Sequence, residues 1–119
     1  MELQALTPML RTWDLPATRA FYTGVLGFTC DSQSPTWASL KRNRVALMIT
    51  TPNNHEGDRA PAFTGSLYFR TDQVDELWRT LNGKVRICDP IESFPYGMRE
   101  FAIYDNNGYL LQFGQPIAT

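Results

Sequence analysis

Glu100, Tyr68 and Tyr104 are the side chains of this 119-residue sequence best suited to acid–base chemistry, because a carboxylate and phenols can exchange protons with a bound substrate. Arg11 and Arg70 could instead hold an anionic group. Charges on a concave surface are costly unless they are paired, solvated or presented to a ligand. These residues are therefore candidate ligand contacts, or else a structural Arg–Glu pair and a solvated rim, and the sequence leaves both readings open.

Nucleophilic and metal chemistry find little support. Thr7 and Ser66 lack an acid–base partner, because the single histidine, His55, lies in a polar segment where a solvated side chain is expected. Cys30 and Cys88 show no C-x-x-C spacing and no cationic neighbour or helix N-terminus that would activate a thiol. We expect no catalytic nucleophile, no zinc site, no cofactor and two reduced cysteines.

An internal repeat indicates how the chain positions these side chains. A shift of 59 residues places Arg11-Thr12 on Arg70-Thr71 and Gly24 on Gly83. In each half a strand leads into a helical stripe that ends at a glycine, and period-2 segments follow. The sequence therefore predicts an α+β fold of two tandem β-α-β-β-β modules, at about 1–51 and 63–119, joined by a Pro/Gly-bounded linker at 52–62.

The first predicted helix begins at Asp14, a good N-cap, carries Pro16 in its first turn and stops at Gly27. The second has Asp72 or Gln73 at its cap and ends at Gly83. The predicted strands are Leu6 to Trp13, Phe28 to Asp31, Trp37 to Lys41, Val45 to Thr51, Ser66 to Thr71, Val85 to Cys88, Arg99 to Tyr104 and Tyr109 to Phe113. A hairpin turn is predicted at 105–108, where Asn and Gly tolerate positive φ.

Alternation along the strands predicts one apolar face and one mixed face. In the last strand, Leu111 and Phe113 share a side opposite Gln112. If the sheet curls so that its mixed faces converge, they line a cup for a small planar or aromatic organic molecule. The alternative is that the aromatic and methionine side chains only fill a small barrel-like interior. The candidate ligand-binding residues are Met9, Arg11, Trp37, Met48, Ser66, Tyr68, Arg70, Phe94, Tyr96, Glu100, Tyr104 and Gln112.

The Phe94-Pro95-Tyr96-Gly97 segment is either a lid over this cup, with glycine as its hinge, or an ordinary tight turn, and the lid is the interpretation we favour.

The composition excludes several kinds of binding partner. A net charge of −1 with scattered basic residues predicts no nucleic-acid binding. No segment approaches the length of a membrane span and no export signal is evident, which favours a single cytoplasmic domain with no membrane partner.

Two stretches resemble the vicinal oxygen chelate superfamily, the group of glyoxalases, bleomycin resistance proteins and dioxygenases, on its bleomycin-resistance-protein-like branch. The opening stretch is Leu6 to Asp14 followed by Phe21-Tyr22 and Val25-Leu26-Gly27-Phe28; the closing stretch is Met98 to Phe101 with Tyr104 to Phe113. The resemblance covers nearly the whole chain and implies the two-module fold.

Metal-using relatives take His, Glu or Gln ligands from the first and last strands of each module. The matching positions here are Thr7, Met48, Ser66 and Gln112, and none is His, Asp, Glu or Cys. The resemblance therefore implies a metal-free homodimer that sequesters a small organic molecule, as in antibiotic resistance. The alternatives are a glyoxalase- or dioxygenase-like enzyme with an unusual metal site, a metal-free enzyme, and a regulatory ligand sensor.

Overall fold

The structure, a computed structural model, describes residues 1–52 and 60–117 and divides into two compact units, Met1–Ala62 and Phe63–Thr119. Each unit contains one four-stranded mixed sheet and one α-helix. This confirms the predicted α+β fold of two tandem β-α-β-β-β modules. His55 lies outside the described residues.

The first unit orders its strands β1-β4-β3-β2. Strand β1 (Met9–Arg11) pairs in parallel with β4 (Val45–Thr50), and the antiparallel neighbours β3 (Trp37–Arg42) and β2 (Thr29–Ser34) complete the sheet. Helix α1 (Leu15–Ala20) follows β1 and continues as a π-helical turn at Phe21–Val25.

The second unit repeats this topology in the order β5-β8-β7-β6. Strand β5 (Leu67–Arg70) pairs in parallel with β8 (Leu110–Pro116), which is antiparallel to β7 (Met98–Tyr104), and β6 (Arg86–Ser93) forms the outer edge. Helix α2 (Val74–Leu81) follows β5.

The repeated Arg-Thr pair has a structural role at the strand-to-helix junction. The N–H of Thr12 donates to Thr50 O at 2.9 Å, and that of Thr71 donates to Gly114 O at 3.0 Å, so each threonine extends the parallel pairing. Each threonine Oγ1 also accepts, at 3.1 Å, the N–H of the N-cap residue two positions later, Asp14 or Gln73. Both helices therefore start from the same contact.

The apolar sheet faces form the cores, as predicted. Leu10, Leu40 and Ile49 are at most 3% exposed in the first unit, and the buried apolar residues of β7 and β8 include Ile103 and Leu111, both fully buried. The predicted hairpin turn at 105–108 is present. Asp105 Oδ1 accepts the N–H groups of Asn107 and Tyr109 at 2.8 and 2.9 Å, which closes it.

The first and sixth strands differ most in length from the predicted ones. The first strand was expected over Leu6 to Trp13 but spans Met9–Arg11, because Leu6 is 92% exposed and the Thr12 side chain turns into the helix start. The sixth strand was expected to end at Cys88 but runs to Ser93 despite Pro90. Proline is tolerated there because β6 is an edge strand with two register shifts.

Among the residues that the structure describes, no helix is long and apolar enough to cross a membrane.

The side chain of Asp14 should stabilise α1 measurably, since its Oδ1 accepts the N–H of Ala17 at 3.0 Å. We expect Asp14→Ala to lower the free energy of unfolding by about 1 kcal/mol, measured by urea denaturation. Asp72→Ala is the matched control, because the N-cap of α2 is Gln73 and the first N–H of that helix is held by Gln115 Oε1 at 2.9 Å. Equal losses in the two variants would contradict the assignment.

Candidate functional site

The mixed face of the first unit carries Met9, Met48 and Ser39 in one register row and Arg11, Thr50 and Trp37 in the next. The indole Nε1 of Trp37 donates to the Met48 sulfur at 3.2 Å, which joins the two rows. Met9 is 48% exposed, although large apolar side chains of the opposite face are buried. This face thus presents aromatic and thioether surface beside an arginine.

The mixed face of the second unit has the same register. Tyr68, Gln112 and Ala102 form one row, while Arg70, Gly114 and Glu100 form the next. Arg70 therefore occupies the position that Arg11 has in the first unit, and Glu100 occupies the position of Trp37.

Glu100 is the centre of a hydrogen-bonded cluster. Its Oε2 accepts the hydroxyl of Tyr68 and its Oε1 accepts the hydroxyl of Tyr96. The glutamate is only 9% exposed, whereas Tyr68 and Tyr96 are 41% and 65% exposed. Two phenols thus cover the carboxylate and donate charge-assisted hydrogen bonds to it. We call these three residues the Glu100 cluster.

Gly114 is the residue that permits this cluster. It lies in β8 between Arg70 and Glu100, and the Tyr68 phenol crosses directly over its Cα. A Cβ at this position would overlap the Tyr68 hydroxyl and ring. Only glycine leaves room for a tyrosine on β5 to reach a glutamate two strands away.

The cluster is better suited to binding than to proton transfer at neutral pH. Burial, followed by the Glu100 hydrogen bond, raises the pKa of Tyr68 to about 12, and the Glu100 hydrogen bond raises that of Tyr96 to about 12. A phenol with so high a pKa is a poor general acid or base, because efficient catalysis needs a pKa near the working pH.

The four positions at which relatives hold metal do not fit a zinc or transition-metal ion. Ser66 Oγ donates to Gln112 Oε1 at 2.5 Å, so the amide oxygen of that pair is already engaged. The Met48 sulfur accepts the Trp37 indole, and Thr7 supplies only a neutral hydroxyl. A thioether, an amide and two hydroxyls are weak ligands for such a cation. Across residues 1–52 and 60–117, no three His, Cys, Asp or Glu side chains lie together in a metal-binding group.

Tyr104 is not part of the Glu100 cluster, although it was a candidate partner of the carboxylate. The Arg86 guanidinium lies 4.2 Å from the centre of its ring, and a hydrogen bond with Cys88 raises its pKa. Cys30 and Cys88 are free thiols.

The segment from Phe94 to Gly97 forms a tight turn, and its role as a lid stays a prediction. Phe94 N–H donates to Met98 O at 2.8 Å, Gly97 N–H donates to Phe94 O at 3.0 Å, and Ile117 N–H ties Gly97 O to the end of β8. Gly97 has φ of +91°, as the turn requires. The rings of Phe94 and Tyr96 stack at 5.3 Å, which holds the Tyr96 hydroxyl over Glu100.

Sequence reasoning placed Tyr68, Arg70, Glu100 and Gln112 together on one face and offered Tyr68 as a partner of Glu100, but it missed the second partner of the carboxylate. That partner is Tyr96, four residues earlier across the hairpin turn. Tyr96 was a candidate ligand-binding residue only as part of its loop. The spacing of Tyr96 and Glu100 across a turn was the sequence signal that could have indicated their hydrogen bond. The requirement for glycine at Gly114 had no signal in a single sequence.

Gly114→Ala should detach Tyr68 from Glu100 because the new methyl group occupies the position of the phenol. We expect the pKa of Tyr68 to fall from about 12 toward 10 while that of Tyr96 stays raised, measured by NMR titration of ¹³Cζ-labelled tyrosine. A phenol with a pKa raised on folding adds stability that is complete below about pH 10 and is lost as the pH rises through about 12. That loss should shrink in the variant.

Gly24→Ala is the matched control, since a methyl group there meets no atom within 4 Å and should leave both phenols unchanged. A Tyr68 pKa that stays near 12 in Gly114→Ala would refute the role given to the glycine.

Comparison with known proteins assigns the chain to a family. Residues 5–113 match the model of the glyoxalase/bleomycin resistance protein/dioxygenase superfamily. A comparison with curated proteins finds no match.

Three solved structures share the fold over nearly their full lengths. A bleomycin resistance determinant encoded on the transposon Tn5 is 28% identical, with a TM-score of 0.76 over 96% of this chain and 98% of that one. A protein of unknown function from Agrobacterium tumefaciens str. C58 is 19% identical, with a TM-score of 0.81 over 98% and 97%. Lactoylglutathione lyase from Agrobacterium tumefaciens is 22% identical, with a TM-score of 0.71 over 97% and 96%. With a family match over most of its length, the chain belongs to the glyoxalase/bleomycin resistance protein/dioxygenase superfamily.

Proposed function

We propose that this chain is a metal-independent binding protein that sequesters a small planar or amphipathic organic molecule and performs no chemistry on it. The observation that carries the proposal is the exposure of aromatic and thioether side chains on the mixed sheet faces and in the adjoining turn at Phe94–Gly97. Met9, Tyr68 and Tyr96 are 48%, 41% and 65% exposed, although the opposite faces are packed as cores. Such surfaces suit flat organic ligands, because aromatic rings stack on them and methionine adapts to their shape.

The chemistry of the two faces supports binding over catalysis. The phenols of the Glu100 cluster have pKa values near 12, and the residues at the metal positions are poor metal ligands. The 28% identity to a bleomycin resistance determinant favours the same class of function, and the family pattern favours a cytoplasmic homodimer. The proposal does not extend to bleomycin as the ligand of this chain.

Ligand binding should appear as thermal stabilisation in a screen of aromatic and glycopeptide compounds, run with and without a chelator and in parallel with divalent metals. A ligand at a hundred times its dissociation constant adds about 2.7 kcal/mol to the free energy of unfolding. We expect organic hits whose stabilisation is unchanged by the chelator.

Trp37→Leu should weaken such a hit several-fold, because the indole and its Met48 contact lie on the mixed face. Trp13→Leu is the matched control, since Trp13 is 60% exposed and lies outside the sheet strands. Stabilisation by a metal alone, with no organic hit, would refute the proposal and favour a lyase- or dioxygenase-type enzyme instead.

A further inference from the structure

Two carboxylates lie side by side at one end of the mixed face of the second unit. Glu92 on β6 is the register partner of Glu100 on β7, so both side chains leave the same face of the sheet. Within the described part of the chain neither carboxylate forms an ion pair. No described cation therefore offsets the negative charge at this end of the face.

The Glu100 cluster offers a ligand acceptor atoms only. A phenol has a single O–H, and the hydroxyls of Tyr68 and Tyr96 both donate to Glu100. The lone pairs of the two phenol oxygens remain, together with those of the carboxylate. A surface of acceptors beside negative charge favours a group rich in N–H donors, and a protonated amine fits best.

The opposite end of the same register row carries a positive charge. Arg70 on β5 is exposed and is separated from Glu100 by Gly114, a distance of two strand spacings or about 10 Å between Cα atoms. Arginine presents a planar fork of donors that matches a carboxylate. The row thus runs from a cation at its β5 edge to two carboxylates at its β6 edge.

Aromatic surface fills the space between the two ends. The Tyr68 ring crosses the row over Gly114 and remains 41% exposed. Tyr96, stacked on Phe94, adds a second exposed ring beside Glu100. A ligand that spans the row would rest its body on these rings.

We propose that this face is a subsite for an aromatic zwitterion, with its protonated amine at Glu100 and Glu92, its carboxylate at Arg70 and its ring on Tyr68. The juxtaposition of an acceptor-only carboxylate cluster and an exposed arginine across a glycine carries the inference. It deepens the binding function proposed above and rests on it.

The test uses 4-(aminomethyl)benzoate and its two half-molecules, benzylamine and benzoate, titrated into the full chain at neutral pH and followed by ¹H–¹⁵N NMR. We expect the zwitterion to bind about tenfold more tightly than either half-molecule, the gain of one additional charge-assisted contact. Its shifts should map to β5, β7 and β8.

Charge-removing variants assign the two ends. Glu100→Gln should lower the affinity of the zwitterion to that of benzoate, and Arg70→Gln should lower it to that of benzylamine. Glu92→Gln, at an exposed edge position, should lower the affinity of the amine-bearing probes about threefold. This variant tests the acidic end of the row even if the Glu100 variant does not fold. Glu76→Gln and Arg79→Gln, both exposed on α2, are the matched controls and should change nothing.

Equal affinity of benzylamine and the zwitterion would overturn the role of Arg70, and tightest binding by benzoate would overturn that of the carboxylates. Neutral benzyl alcohol separates the two proposals. Binding of benzyl alcohol as tightly as the zwitterion would refute this inference and leave the binding function standing. If no probe of any charge binds, and the wider compound screen also gives no organic hit, the binding function itself fails.

Discussion

The parallel pairing of the first and last strands of each module is the constraint on which the rest of the structure depends. Strands β1 and β5 contribute only three and four residues, and each pairs with a single neighbour. The pairing nevertheless sets the register of the whole mixed face. It also positions the threonine that follows each strand at the start of the next helix. There the threonine hydroxyl accepts the N–H of the N-cap residue. One short parallel ladder therefore positions both the helix and the ligand-facing side chains.

In the Glu100 cluster a nearly buried carboxylate is held by hydrogen bonds from two phenols. Removal of a carboxylate from water is costly unless its oxygens are hydrogen-bonded. Here two phenols provide those bonds from the exposed side, one from β5, two strands away, and one from a tight turn. Since the phenols shield the charge without neutralising it, the face keeps its negative potential. Glycine at position 114 is the structural condition, because any side chain would displace the first phenol.

The repeat and the alternation of apolar residues made most of the fold predictable from sequence. Both are local patterns that directly report strand faces and helix starts, and the offset between Arg11 and Arg70 is preserved in the register of the two sheets. Features that depend on tertiary context were not predictable. Pro90 would end a central strand, and only the edge position of β6 allows it. Likewise, alternation places Tyr68 and Glu100 on one face, but which side chain reaches the carboxylate depends on the space above Gly114 and on the turn at Phe94–Gly97.

Trp37 and Glu100 occupy equivalent register positions in the two units. One backbone position thus carries an indole in the first unit and a carboxylate in the second, with an arginine on the edge strand of the same row in both. Because the hydrogen-bond ladder is made by main-chain atoms, such an exchange alters the chemistry of a face without rebuilding the sheet. A repeated sheet can therefore present two chemically different surfaces, one aromatic and one acidic, on the same main-chain framework.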